Sequence, residues 1–405
     1  MHLLLTYDFP PMGGGIARWM GELAKRYPAG SLVVSTGRQP DNAGVDGSFP
    51  NRIDRLFIPS RRLRTVQGLL LWSRRVVALT QSLDAEFIWC GNLKPAAYPA
   101  RWAAARVGIP YGVMVVGSDL LILRQQIQRS PLKRRAAHSL LGSASGLVAI
   151  SRWTADLCLA ILEQLQIKIT PDLVRTVPLG TDPAFFQPGR DTREVRAHYG
   201  LGERRWLLSV ARLVPYKGLD TGLRVLAELR QHHPDLGYAI VGSGEQLAEL
   251  HAMTRSLGLE DRVRFLTDVP DCDLPALYNC AEVYLGLSRS TDLDVEGFGI
   301  SLVEASACGV PVVAARSGGI PDAVREGETG LLVDAERPEV VAGAVRLLLN
   351  NPDMAKRLGV EGRRTVEHFY NWDRVTSDMM RIGGELGSTP RRVALTAVKS
   401  DRSCG

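Results

Sequence analysis

Two glutamates, Glu296 and Glu304, flank a glycine-rich turn, and their type and spacing are suited to chemistry. Apolar residues at helical spacing predict a short helix that begins at Phe298 and ends before Gly309, so Glu296 falls in a loop and Glu304 on the helix. A helix start offers free backbone N–H groups to an anion, and a carboxylate accepts hydrogen bonds from hydroxyl groups. The stretch therefore predicts a site for an anion or a sugar. The alternative is two unrelated surface glutamates.

Two cations, Arg212 and Lys217, lie on a second predicted loop. This loop follows a strand predicted over residues 205–211 and precedes a helix predicted over residues 219–230. Ligands of open α/β sheets bind at the carboxyl ends of the strands, and cations there stabilise negative charge on a departing phosphate. A surface ion pair is the alternative role for each residue.

A third loop, Gly13–Gly15, joins a predicted strand at residues 2–9 to an amphipathic helix. It lacks the G-x-G-x-x-G spacing of a dinucleotide site and the Lys-Ser/Thr of a P-loop, which disfavours NAD and ATP as ligands. A tight turn without a ligand is the alternative.

Strands and helices alternate along both halves of the chain, which predicts parallel, doubly wound sheets. The other predicted strands are 31–36, 87–90, 111–116 and 146–151 in the first half, and 238–241, 263–266, 283–287 and 310–314 in the second. The length of 405 residues fits two domains.

The motifs resemble those of glycosyltransferase family 4. Glu296 to Glu304 matches its E-x7-E signature, and residues 305–314 match the usual continuation. The resemblance covers roughly residues 1 to 385 and implies the GT-B fold, in which two Rossmann-like domains face a cleft. The implied domains are 1–188 on the acceptor side and 189–368 on the donor side, with a crossover helix at about 369–385. The tail at 388–405 has no sustained apolar period and is expected to be disordered.

The resemblance also implies roles for residues. Glu296, Arg212 and Lys217 are the implied catalytic residues. Glu296 would bind hydroxyls of the donor sugar, and Arg212 and Lys217 would bind the phosphates of the donor. Glu304 would bind the ribose. The remaining implied donor-binding residues are Gly14, Gly15, Gly242, Gly244, Phe298, Gly299, Ile300, Ser301 and Leu302.

One departure from the family pattern concerns a histidine. Many members end the strand matching residues 111–116 in a His-Gly pair, whereas this chain has Val116-Gly117-Ser118-Asp119. Ser118 and Asp119 are candidates for the sugar or acceptor side, with helix capping as the alternative. A catalytically weak sugar-nucleotide-binding protein is therefore a competing hypothesis to an active retaining transferase.

The segments 8–11, 212–215 and 293–297 are similar to those of mannosyltransferases acting on phosphatidylinositol mannoside. This similarity implies a nucleotide-diphosphate sugar donor, with GDP-mannose favoured, and a lipid-linked or saccharide acceptor. A family 4 enzyme that uses UDP-glucose or another UDP-sugar is the alternative. These residues line a generic donor site, so base and acceptor are inferred by analogy.

No cofactor is expected. Asp292 and Asp294 have the form of a D-x-D metal motif, but Arg212 and Lys217 already supply positive charge, so metal-independent activity is predicted. The six cysteines are scattered without a C-x2-C pair, which suggests neither a zinc site nor a disulfide framework.

The charge distribution is asymmetric. Residues 1–195 carry 24 Lys and Arg against 14 Asp and Glu, whereas residues 196–405 carry 25 against 29. Basic stretches at residues 61–75 and 124–135 suit an interfacial helix on an anionic membrane, or a solvated basic face over a buried stripe. Without a signal peptide or a spanning segment, the expected location is cytoplasmic, peripheral at the inner membrane face. No nucleic-acid partner is expected.

Overall fold

Short apolar runs form the buried strands of this α/β chain. The computed structural model describes residues 1–39, 42–57 and 62–388. Of the predicted tail at 388–405, only Ser388 is described, as the last residue of a helix, and residue 61, the start of the first basic stretch, also lies outside the described residues. Strands in the sheet centres are buried on both faces, which explains why they are almost wholly apolar rather than alternating.

Among the described residues, seven strands form the first sheet. Their bounds are β1 (His2–Leu5), β2 (Leu32–Gly37), β3 (Arg52–Leu56), β4 (Phe87–Cys90), β5 (Tyr111–Val115), β6 (Gly146–Ala149) and β7 (Val174–Thr176). They pair in parallel in the order β3-β2-β1-β4-β5-β6-β7. The carboxyl ends of β1, β4 and β5 therefore lie side by side, on the side of the sheet where all its strands end.

The helices around this sheet are α1 (Gly15–Arg26), α2 (Asn42–Asp46), α3 (Arg62–Ser82), α4 (Ala97–Val107), α5 (Gly117–Arg129), α6 (Pro131–Gly142) and α7 (Arg152–Gln164). The predicted basic stretch at 124–135 spans the end of α5 and the start of α6. A proline at the first position of α6 and the side chain of Ser130, which accepts a bond from the Lys133 amide, explain the break.

Within residues 62–388, six further strands form the second sheet. Their bounds are β8 (Arg205–Val210), β9 (Leu236–Val241), β10 (Val263–Leu266), β11 (Ala281–Gly286), β12 (Val312–Ala315) and β13 (Gly330–Val333). They are parallel in the order β10-β9-β8-β11-β12-β13. The helices of this half are α8 (Arg193–His198), α9 (Leu219–Leu229), α10 (Leu247–Ser256), α11 (Leu274–Asn279), α12 (Ile300–Ala307), α13 (Pro338–Asn350) and α14 (Pro352–His368).

The last described helix, α15 (Trp372–Ser388), returns to the first sheet. It packs against α1, β4 and β5, and its residues Met379, Ile382 and Leu386 are buried. A backbone bridge between Thr181 and Asn371 lies at the crossing point.

The architecture confirms the predicted fold class, two Rossmann-like parallel-sheet domains that face each other. β3, β7 and β13 are not predicted by the sequence, and all three lie at sheet edges. These edge strands are only partly buried, and charged residues break the apolar pattern of β3 (RIDRL) and β7 (VRT), whereas β13 (GLLV) is apolar but short. The first strand ends at Leu5 rather than at residue 9.

Candidate active site

The loop between β11 and α12 carries Glu296 and leads into α12. Gly299 adopts a φ of 100°, a left-handed conformation that favours glycine, and α12 begins at the next residue. The predicted start at Phe298 is therefore two residues early. The ring of Phe298 is buried, 5.9 Å from that of Tyr370, so any contact of this residue with a ligand falls to its backbone.

The backbone amides in the first turn of α12 are not equally free to donate hydrogen bonds to a ligand. The amides of Ile300 and Ser301 are at the helix start, where regular helical partners are lacking. The amide of Leu302 instead donates to the carbonyl of Gly299 at 3.1 Å, and the Leu302 side chain is in the core. Ile300 and Ser301 are thus better placed to bind an anion than Leu302.

Glu296 and Lys217, predicted as site residues on two separate loops, form an ion pair. Lys217 Nζ donates to Oε2 of Glu296, and Ser288 Oγ donates to the same oxygen at 3.2 Å. Burial lowers the pKa of Lys217, but the charge of Glu296 outweighs it, and the pKa lies above its usual value. The amine is therefore charged. Among the described residues, no donor bonds to the other Glu296 oxygen, Oε1.

Arg212 lies on the loop after β8. Its Nη2 donates to the hydroxyl of Tyr216 at 3.1 Å, and Nζ of Lys217 lies 5.0 Å from the centre of the Tyr216 ring. Arg212 is exposed, and it forms no ion pair with any described carboxylate. The alternative of a surface ion pair is therefore not observed for Arg212 in the described chain.

Gly242 and Gly244 follow β9 and support the Arg212 loop. A Cβ at Gly242 would overlap the carbonyl oxygen of Ala211, and one at Gly244 that of Leu213. The Leu213 amide donates to the carbonyl of Ser243 at 2.9 Å. The two glycines therefore allow one loop to pack on the other, and their contact with a nucleotide remains a prediction.

Glu304 is almost fully buried, at 3% exposure, and its partners come from two domains. Tyr278 donates its hydroxyl to Oε2 at 2.7 Å, while Arg18 of α1 donates Nη1 to Oε1. Arg18 also donates Nη2 to Asp271 at 3.0 Å. Burial raises the pKa of Glu304, and the charge of Arg18 opposes this shift.

Sequence reasoning missed Arg18. A cation in the first turn of a helix faces the positive end of the dipole and is electrostatically unfavourable without a nearby anion. Arg18 is the fourth residue of α1, so this mismatch was a usable signal.

The predicted glycine loop faces the start of α12. Gly14 precedes α1 with a φ of 113°, and a Cβ at Gly13 or Gly14 would meet no atom within 4 Å. A Cβ at Gly15 would lie 3.4 Å from Cδ1 of Ile300. Gly14 and Gly15 thus border open space beside the candidate anion site.

Ser118 and Asp119 lie in the first turn of α5. Val116 precedes the helix, and no side chain caps it, so the capping alternative is not observed. Gly117 approaches the Glu296 loop so closely that a Cβ would lie 3.5 Å from Cα of Gly297. Asp119 is therefore two residues from the contact between the domains.

Asp119 belongs to a polar cluster at the carboxyl ends of β1, β4 and β5. Asn92 donates its amide to Asp8 at 3.0 Å, and Lys94 donates to Gln126 at 2.7 Å. Burial, with the charge of Asp8 added, raises the pKa of Asp119 to about 6. Oδ1 of Asn92 is buried and has no hydrogen-bond partner among the described residues.

Asp292 and Asp294 lie in a turn organised by Thr291. Thr291 Oγ1 accepts a bond from the Asp294 amide at 2.9 Å. The described residues contain no group of three His, Cys, Asp or Glu side chains arranged to hold a metal ion. Metal independence remains a prediction.

Two parallel sheets that face one another, with paired carboxylates and cations at the edge of one, are typical of GT-B glycosyltransferases. The family model described as "Glycosyl transferases group 1" matches residues 191–365. The chain is 34% identical to a GDP-mannose-dependent alpha-(1-6)-phosphatidylinositol monomannoside mannosyltransferase of Mycolicibacterium smegmatis, over 91% of this chain and 94% of that protein.

A D-inositol 3-phosphate glycosyltransferase of Acidothermus cellulolyticus is 38% identical over 52% of this chain and 48% of its own length. The crystal structure of Anabaena HepE in complex with UDP superposes with a TM-score of 0.77 at 20% identity, covering 95% of this chain and 99% of HepE. The chain therefore belongs to the group 1 glycosyltransferases of family 4, and the predicted GT-B fold and hexosyltransferase class are confirmed.

Proposed function

We propose that the protein transfers mannose, with retention of configuration, from GDP-mannose to a lipid-linked or saccharide acceptor. The observation that carries this proposal is the contact of Lys217 with Glu296 beside the start of α12, opposite Gly15. The two residues come from motifs that are distant in the sequence, and they supply a cation for the diphosphate and a hydrogen-bond acceptor for the sugar at one place. The identity to the Mycolicibacterium mannosyltransferase supports GDP-mannose as donor.

The donor half of the reaction uses cations and backbone amides. As the diphosphate leaves, negative charge grows on its oxygens, and donors already in place stabilise that charge without reorganisation. Lys217, the exposed Arg212 and the amides of Ile300 and Ser301 supply these donors. Oε1 of Glu296, which lacks a described protein donor, accepts a bond from a sugar hydroxyl.

The acceptor half uses the first domain. Asp8, Asp119 and the unpaired Oδ1 of Asn92 accept bonds from hydroxyl groups, and Lys94 forms no ion pair with a described carboxylate. Such a set suits a polyhydroxylated acceptor that carries negative charge. The relatives act, by name, on phosphatidylinositol monomannoside and D-inositol 3-phosphate, which supports this class.

Purified protein tests the proposal in two steps. Thermal shift with GDP, UDP and ADP compares the bases, and saturation at about 100 times Kd stabilises by about 2.7 kcal/mol. Transfer is then followed by mass spectrometry, as the gain of one hexose from GDP-mannose or UDP-glucose. Stabilisation by UDP and transfer of glucose alone would replace the GDP-mannose assignment.

A catalytically weak nucleotide-sugar binder is the second candidate, and Val116 favours it. This valine stands where many family members have histidine, and its side chain is buried. The two candidate functions differ in turnover. If a nucleotide stabilises the protein but GDP-mannose is neither hydrolysed nor used for transfer to any acceptor, the protein is a nucleotide-sugar binder rather than an active transferase.

A peripheral membrane location is part of the proposal. In the described chain, no helix is long and apolar enough to cross a membrane. A groove of about 780 Å³ lies between α3, α4 and α6, and Val66, Leu70, Trp102 and Arg106 are among its lining. Leu132 is 77% exposed next to Lys133, whereas Trp72 of the other basic stretch is in the core.

Exposed apolar residues beside cations suit an anionic lipid surface. Each cation near such a surface contributes about 1 kcal/mol, and salt screens it. Arg124→Gln with Arg135→Gln should reduce sedimentation with phosphatidylglycerol vesicles at low salt. Arg337→Gln, an exposed arginine of the second domain, is the matched control. Absence of wild-type binding at low salt would remove the membrane from the proposal.

A further inference from the structure

Arg18 joins the two domains at the buried glutamate of the candidate site. It lies on α1, beside the first sheet, yet its guanidinium bonds to Glu304 and Asp271 of the second domain. Glu304 is interior, whereas Asp271 is largely exposed. In the described chain, no second Lys or Arg forms an ion pair with Glu304.

Each carboxylate oxygen of Glu304 accepts one hydrogen bond from a side chain of the described residues. Oε1 receives one bond, from Arg18, and Oε2 receives one, from Tyr278. A carboxylate offers about four lone-pair positions, so these two bonds leave about two of them unused. Vicinal hydroxyls of a ribose are two neighbouring donors, which matches this remainder.

We propose that Arg18 is a positioning residue for Glu304, holding this carboxylate ionised and oriented for the 2′- and 3′-hydroxyls of the donor's ribose. The inference rests on the proposed function, in which Glu304 binds the ribose. Because Arg18 and Glu304 belong to different domains, the ribose site is assembled across the cleft.

The surroundings of Glu304 make its charge depend on Arg18. Besides Arg18, the titratable groups facing it are Asp271, Tyr278, Tyr284 and Cys308. Burial raises the pKa of Glu304, Asp271 adds to this, and the charge of Arg18 opposes it. Without Arg18 the pKa rises further, and a protonated carboxyl loses charge-assisted bonds to the ribose.

The ratio of the affinities for a ribonucleotide and its 2′-deoxy form measures how far the charge of Glu304 depends on Arg18. Affinities for GDP and 2′-deoxy-GDP are determined by calorimetry from pH 6 to 9, or for UDP and its 2′-deoxy form if UDP is preferred. Wild type should prefer the ribose form about ten- to a hundred-fold. Arg18→Met should show a smaller preference than wild type, and this preference should increase with pH as more of Glu304 ionises. Arg18→Lys, which keeps the charge, should behave like wild type.

Arg26→Met is the matched control, because Arg26 lies on the same helix but pairs with Glu22, Asp182 and Asp373. Its preference should equal that of wild type. If Arg18→Met does not fold, Arg18→Gln, which keeps donors and removes charge, carries the same expectation.

The failure of the inference is distinguishable from that of the proposed function. A wild-type preference that Glu304→Gln abolishes but Arg18→Met leaves intact at every pH overturns the role of Arg18 alone. Equal affinity of wild type for the two nucleotides, unchanged by Glu304→Gln, overturns the assignment of the ribose to Glu304.

Discussion

Replacing Glu296 by glutamine should slow turnover more than it weakens donor binding. Oε2 of Glu296 already accepts bonds from Lys217 and Ser288, so the amide oxygen of glutamine must take that place. The amide NH2 group then replaces Oε1, the oxygen proposed to accept a bond from the sugar. The substitution removes the negative charge next to the sugar and keeps the size of the side chain.

The magnitude follows from the bond that is lost. A hydrogen bond to a charged group contributes about 1.5 to 3 kcal/mol, which corresponds to a fall in kcat of about ten- to 150-fold. The sugar gains positive character as the diphosphate leaves, so the carboxylate matters more in the transition state than in the ground state. The KM for the donor should therefore change by less than about threefold.

Steady-state hydrolysis of GDP-mannose, measured with and without acceptor, separates this effect from a defect in acceptor binding. Ser288→Ala is the matched control, because it removes one hydroxyl donor from the same carboxylate but leaves the negative charge of Glu296 and its ion pair with Lys217 in place. Glu304→Gln should instead raise the KM, since a ribose contact exists in both states. Identical profiles for the two glutamine variants, or full kcat in Glu296→Gln, would refute the roles given to this stretch.

Three further predictions address the cations, the metal and the first domain. Arg212→Ala should weaken GDP binding about ten- to a hundred-fold in calorimetry and leave guanosine binding unchanged, because only the phosphates lose a partner; equal affinity for GDP would remove Arg212 from the site. Activity should survive EDTA, whereas loss with rescue by Mn²⁺ would assign Asp292 and Asp294 as ligands. Burial raises the pKa of Asp119 to about 6, whereas an aspartate in the unfolded chain has a pKa of about 3.9, so wild type loses stability as the pH rises between these two values. Relative to wild type, Asp119→Asn should therefore gain thermostability from about pH 4 to pH 6 and keep a constant advantage at higher pH. A melting-temperature difference independent of pH would contradict the burial of the Asp119 charge.

The sequence predicts the sheet centres better than the edges. Strands such as β9 and β12 are short apolar runs buried on both faces, so composition alone identifies them. β3 and β7 have one neighbour each and tolerate charged residues on their outer side. Their pairing depends on the sheet already being present, and a local pattern does not contain that information.

The site shows the same division between local and distant information. The Arg212 loop and the stretch from Glu296 to Glu304 are each continuous in sequence, so motifs identify them. The pairing of Lys217 with Glu296 joins these two segments, and nothing in either one specifies it. Only the adjacency of β8 and β11 in the sheet brings the two loops together.

The residues matched by the family model do not include every residue of the candidate site. The matched residues, 191–365, include Arg212, Lys217, Glu296 and Glu304, and a donor site inferred from them alone would be complete within the second domain. Yet the cation paired with Glu304 lies outside the match, on the first helix of the chain. If a buried carboxylate needs that cation to stay ionised, closing the cleft and binding the donor favour each other, because each stabilises the charge that the other requires. On this argument, the isolated second domain would bind nucleotide more weakly than the whole chain even with every one of its own motifs intact.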